Sequence, residues 1–135
     1  MFLLDTMVVC ERTKSRPRAS VLAWLKNADP AQQFVSALTI GEIRYGVRRM
    51  PPNQHRSRLE TWVAQELTPF FAGRVLPVDE RVADRWGALR ADAARALPLV
   101  DSLIAATALV HNLTIASRNE RDFAGLGVRV VNPWT

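Results

Sequence analysis

Four carboxylates and one amide stand out in this chain as residues that could do chemistry together. Asp5 follows the apolar run "FLL", Glu42 follows "FVSAL", Asp101 opens the run "SLIAATALV", and Asn119 and Asp122 follow "TIAS". A charge at the end of a buried run is costly unless something balances it. Acids delivered by separate segments to one place would repel one another unless a cation sat among them. Carboxylates without histidine or thiolate partners are hard oxygen ligands, and Mg²⁺ typically takes one or two of them together with waters and phosphate oxygens. A site of that kind does phosphoryl chemistry: the ion lowers the pKa of a water, polarises the phosphate and offsets charge on the departing oxygen, while Arg and Lys hold the polyanion. The lone Cys10 allows no internal disulfide, and His55 and His111 are too far apart in sequence to spell out a zinc site.

Each acid also has a purely local reading. Thr39 with Glu42, and Ser117 with Glu120, match the capping-box spacing in which a hydroxyl residue and an acid three positions on start a helix. Asp101 fits the positive end of a helix dipole, Asp5 an Asx-turn, and Asp122 a solvated helix face. These readings hold singly and weaken jointly if the acids share one edge of the fold.

The elements that must position them alternate. "FLL", "QFVSAL", "RVLPV", "LTIAS" and "VRVVN" read as strands. "RASVLAWLKNA" has Val21, Leu22 and Leu25 at helical spacing, and "TIGEIRYGVRRM" is helical until Pro51 and Pro52. "HRSRLETWVAQELTPFF" carries Leu59, Trp62, Val63 and Leu67 on one face, a helical arm. In "DERVADRWGALRADAARAL", Val82, Trp86, Leu89, Ala93 and Leu97 form the stripe of a long amphipathic helix, whereas "SLIAATALV" is apolar all round and must be buried. Strands alternating with helices predict an α/β fold of three layers, with a central parallel sheet, helices on both faces and the added arm, in a single domain over 1–135. In open sheets of this kind ligands bind beyond the carboxyl ends of the strands, where these acids fall.

At 135 residues and 48% hydrophobic, the chain can bury a core. No apolar stretch approaches the roughly 20 residues of a membrane span, and the N-terminal run has an acid and no basic flank, unlike a secretory signal, so a soluble cytoplasmic protein is expected. Eighteen Lys and Arg against thirteen Asp and Glu give a net charge of +5, which suits a polyanionic partner but is a weak signal alone. Arg12, Lys14, Arg16 and Arg18 follow Asp5, while Arg44, Arg48 and Arg49 follow Glu42.

Taken in order, "LLDT", "TIGEIRYGV", "VDSLIAATA", "IASRNERDF" and the closing "NPW" resemble the PIN-domain ribonucleases, in particular the VapC-type toxins of toxin-antitoxin pairs and their FitB-like branch. The resemblance spans essentially the whole chain. It implies a Mg²⁺- or Mn²⁺-dependent endoribonuclease, homodimeric, held in check by an antitoxin that wraps it, inserts a basic side chain into its acidic pocket and supplies any contact with DNA. Asp5, Glu42 and Asp101 match the three principal acids of the family. Asn119 stands where a fourth acid often lies, leaving Asp122 to supply a carboxylate, and Thr6 and Ser117 match the supporting hydroxyl positions. Arg12, Lys14, Arg44, Arg48 and Arg118 are the expected RNA contacts. Two departures stand out: Met7 replaces the asparagine of the usual "DTN", and "RALPLV" before Asp101 lacks a longer polar insert.

Two other function classes compete. The fold could serve as a non-cleaving regulatory subunit acting with a DNA-binding antitoxin, which the intact acids argue against. A small phosphatase is disfavoured because "LLDTMV" lacks the second aspartate of an Asp-x-Asp nucleophile and acid pair.

Overall fold

The computed structural model describes all residues, 1–135. Its centre is a five-stranded parallel sheet in the order β3-β2-β1-β4-β5. The strands are β1 (Phe2–Leu4), β2 (Gln33–Ser36), β3 (Val75–Leu76), β4 (Thr114–Ala116) and β5 (Val130–Val131). Successive strand residues point to opposite faces. Leu3 accordingly joins a core with Ile104, Ile115 and Phe123, and Leu4 joins a second core with Val8, Val35 and Ile43. Both leucines are buried, which favours the fold by about 1.5–3 kcal/mol each. A strand buried on both faces belongs at the middle of a parallel sheet, and Leu3 is in register with Phe34 on one side and Ile115 on the other.

The first half of the chain covers one face with α1 (Thr6–Cys10), α2 (Ala19–Asn27), α3 (Ala37–Arg48) and α4 (Gln54–Trp62). The arm runs on from α4 through a wide turn over Val63–Leu67 into the short α5 (Thr68–Phe70). Arg74 locks its end: the guanidinium donates to the carbonyl of Gln33 at 2.6 Å and lies 4.8 Å from the centre of the Phe70 ring. The other face carries α6 (Glu80–Asp92), α7 (Leu99–His111) and α8 (Glu120–Phe123).

One helix is added to the expected elements and two local expectations are corrected. The residues "TMVVC" after Asp5 form α1, because Asp5 caps it and helical spacing buries Val8 and Val9. The expected long helix stops at Asp92, and Ala93 turns extended. Arg95 then donates to the carbonyls of Asp122 and Ala124, holding this stretch against α8 while Leu97 still packs on the core. Finally, α3 starts at Ala37, capped by Ser36, whose Oγ accepts from the Leu38 amide at 3.1 Å.

Candidate active site

The chain runs outward from β1 to β2 and β3, then returns to place β4 on the other side of β1. The crevice beyond the ends of β1 and β4 is therefore the point where strand order reverses, the usual ligand site of an open parallel sheet. Asp5 stands there, one residue past β1, with its amide held by the carbonyl of Ala116 at 2.9 Å. Its carboxylate uses both oxygens: Oδ1 accepts from the Thr6 amide at 2.9 Å, and Oδ2 accepts from the Ser117 hydroxyl at 2.8 Å. Ser117, fully buried after β4, also accepts from the Asn119 amide at 3.0 Å. Ser117 thus ties the two strand ends together and does not form the expected box with Glu120, whose helix is capped by no side chain.

Glu42 reaches the same edge from the second turn of α3, where its Oε1 accepts from the Thr6 hydroxyl at 3.0 Å. The Thr39–Glu42 capping box is absent, since Ser36 is the cap. Thr39 is instead buried within α3 with its hydroxyl unpartnered.

Asp101 is the third residue of α7, which begins at Leu99, two residues before the expected opening at Asp101. Ser102 donates to the carbonyl of Leu99 at 2.8 Å and accepts from the Trp86 indole at 2.9 Å, fixing α7 against α6 beside the acid. Burial, followed by the charges of Asp122, Asp5 and Glu42, pushes the Asp101 carboxyl above the ordinary aspartate range. Four carboxylates on four elements therefore share one electrostatic site, and Asp122 is the strongest charged neighbour of Asp101. Asn119 is exposed at the rim, its Nδ2 4.0 Å from the Met7 sulfur.

The donor set fits a hard divalent ion: it is all oxygen, and its mutual repulsion is what a cation would relieve. The acids are not drawn into a closed cage, as no three His, Cys, Asp or Glu groups are positioned to hold an ion together.

The basic residues divide. Arg44 is half-buried and Arg48 exposed, both on α3 with Glu42. Arg118 lies over the Trp134 ring at 5.5 Å. Arg12 and Lys14 sit apart, in the segment after α1. Lys14 pairs with the buried Glu11 at 3.0 Å, and Arg12 lines a separate groove of about 740 Å³. Burial alone would raise the Glu11 carboxyl, but the Arg18 amide at 2.9 Å and Lys14 overcome it and hold it below the ordinary range. The groove runs between α1 and the arm, with Val9, Leu59, Trp62 and Phe70 in its wall, and none of the four acids lines it.

The PIN-domain family model matches residues 2–128. Toxin FitB of Neisseria gonorrhoeae is 37% identical over 137 aligned residues, covering 99% of each chain. VapC ribonuclease Y4jK of Sinorhizobium fredii is 34% identical, covering 99% of this chain and 98% of its own. Among solved structures, FitAB bound to an IR36 DNA fragment superposes with a TM-score of 0.96 at 36% identity, over 100% of this chain and 96% of that one.

Proposed function

The chain belongs to the PIN-domain family, in the branch of FitB- and VapC-type toxins of toxin-antitoxin pairs, and from that premise we propose that it is a Mg²⁺- or Mn²⁺-dependent endoribonuclease. The observation that carries this reading is the convergence of Asp5, Glu42, Asp101 and Asp122 at the point where strand order reverses. When bound, the divalent ion neutralises charge on the phosphate and makes a water more acidic. Asp5 and Asp101 would hold it, and Asp122, whose charge bears on Asp101, would act directly or through water. Thr6 and Ser117 keep Glu42 and Asp5 in fixed orientation through the hydrogen bonds described above.

In this reading Glu42 orients the attacking water and takes its proton. The new bond forms between water oxygen and phosphorus as one ester P–O bond breaks, and the departing oxygen is protonated from solvent. Asn119 at the rim, with Arg44, Arg48 and Arg118, holds flanking RNA. The protein works as a homodimer in this proposal.

The partner is an antitoxin with two functions. An apolar segment bearing acidic residues suits the groove between α1 and the arm, whose lining includes Arg12, His55 and Arg58 with a single acid, Glu66. A basic side chain among Asp5, Glu42 and Asp101 would hold the site shut in place of the ion. Any DNA contact comes through this antitoxin in the proposal, and the structural relative FitAB is a complex bound to a DNA fragment.

Incubation of the purified chain with single-stranded RNA, with and without Mg²⁺ or Mn²⁺, and again with the antitoxin added, tests the proposal. Metal-dependent cleavage that the antitoxin suppresses is expected. The likeness to a DNA-bound FitAB complex gives a second reading, a non-cleaving subunit of a DNA-binding complex. Intact RNA in the presence of either ion, with promoter binding preserved in the complex, would establish that one.

A further inference from the structure

Helix α3 presents a second feature beside Glu42. Tyr45, the chain's only tyrosine, follows one turn later, about 4.5 Å along the axis, and is 62% exposed. An aromatic ring left in water on a helix whose other side buries Ile43 and Val47 contributes nothing to the core. It is nevertheless partnered. Arg49, one further turn along, donates from Nη1 to the Tyr45 hydroxyl at 2.8 Å, and its guanidinium carbon lies 5.5 Å from the ring centre. Gly41 and Gly46 adjoin Glu42 and Tyr45 in sequence, neither has a positive φ, and a Cβ at either would meet no atom within 4 Å.

Resting on the nuclease reading, we infer that Tyr45, held by Arg49, is a stacking platform for one base of a single-stranded RNA, adjacent to the phosphate at the acidic site. Single strands are bound largely by bases stacked on exposed aromatic rings, with Arg adding a cation–π contribution, whereas a paired helix keeps its bases out of reach. Tyr45 therefore selects unpaired RNA and fixes which nucleotide stands beside the cleaved bond. Arg44 and Arg48, on the same helix, are available for the backbone phosphates.

The test measures binding apart from cleavage. Fluorescent single-stranded RNA hexamers are titrated with the full chain in Ca²⁺, their integrity checked on a gel, and the series is repeated with one abasic residue at each position. Tyr45→Phe should bind within about twofold of the parent, and Tyr45→Ala and Tyr45→Leu roughly tenfold or more weaker, the size of one lost stack. One abasic position should weaken the parent to a similar degree and cost the Tyr45→Ala protein nothing further. Parent-like binding by Tyr45→Ala, or equal penalties at every abasic position, overturns the inference while leaving RNA cleavage by the parent intact. Unchanged binding with a shift from dimer to monomer in sedimentation also overturns it, and assigns this face to a second copy of the chain. A parent that neither binds nor cuts single-stranded RNA removes the nuclease reading and this inference with it.

Discussion

Asp101→Asn separates a ligand position from an ordinary helix-start residue by the sign of its effect on stability. As the third residue of α7, an ionised Asp101 should gain about 0.3–1 kcal/mol from the helix dipole, and Asn would lose that. The raised carboxyl says that burial and the charges of Asp122, Asp5 and Glu42 outweigh the dipole. A group whose pKa is higher in the folded state stabilises the fold while protonated, below its unfolded pKa, and that contribution is lost as pH rises through the folded value. At neutral pH without metal, Asp101→Asn should therefore be more stable than the parent. Asp101 is partly solvated, so the gain is limited to at most about 1 kcal/mol, or roughly 3–4 °C in Tm for 135 residues. The difference should vanish as pH falls below the ordinary carboxylate range. Mg²⁺ at 100 times its Kd should then stabilise the parent by about 2.7 kcal/mol and the variant much less, reversing their order. Thermal melts across pH, with chelator and with Mg²⁺, read this directly. An Asn variant less stable than the parent in chelator, or equally stabilised by Mg²⁺, would refute the reasoning.

Ser36→Ala should lose about 1 kcal/mol in denaturant unfolding through its lost cap. Thr39→Val, which removes a buried unpartnered hydroxyl, should be neutral or slightly stabilising in the same assay. A loss at Thr39 instead of Ser36 would restore the capping box. Ser117→Ala removes the hydrogen bond to the Asp5 carboxylate and should cost about 1.5–3 kcal/mol, together with at least tenfold in cleavage rate; wild-type cleavage would show that Asp5 needs no such anchor. Burial pushes the Cys10 thiol up to about 11, so thiol-reagent labelling at pH 8 should run about 100-fold slower than for a cysteine peptide, and comparable rates would contradict its burial.

The sheet and the acid edge were legible because strand ends in a parallel α/β chain face one way, so Asp5, Asp101 and Asp122 could be assigned to one edge from element order alone. What sequence spacing missed was decided by tertiary contacts. The Thr39–Glu42 interval satisfies the capping-box rule, yet Ser36 is the residue with extended backbone at the end of β2, and the burial of Thr39 on the core side of α3 leaves Glu42 free to meet Thr6. "TMVVC" has β-branched residues suited to a strand, and its helix depends on the cap from Asp5 and on room for Val8 and Val9. The stripe through Ala93 and Leu97 has helical spacing but leaves the helix after Asp92, where Ala93 turns extended and Arg95 donates to the carbonyls of Asp122 and Ala124, contacts that no sequence rule can foresee. Arg12 and Lys14 are near Asp5 in sequence, but α1 carries them toward the separate groove and a pairing with Glu11.

The most direct test of the account is cleavage of single-stranded RNA by the purified protein and its Glu42→Gln variant, with Mn²⁺ or Mg²⁺ and with excess chelator. Gln keeps an oxygen that accepts the Thr6 hydrogen bond but removes the charge that takes a proton from water. The parent should cut only with metal, and Glu42→Gln should fall at least 100-fold while melting within about 0.5 kcal/mol of the parent. Cleavage that persists in chelator, or a Glu42→Gln protein that cuts as the parent does, would contradict a metal-assisted nuclease built on these acids.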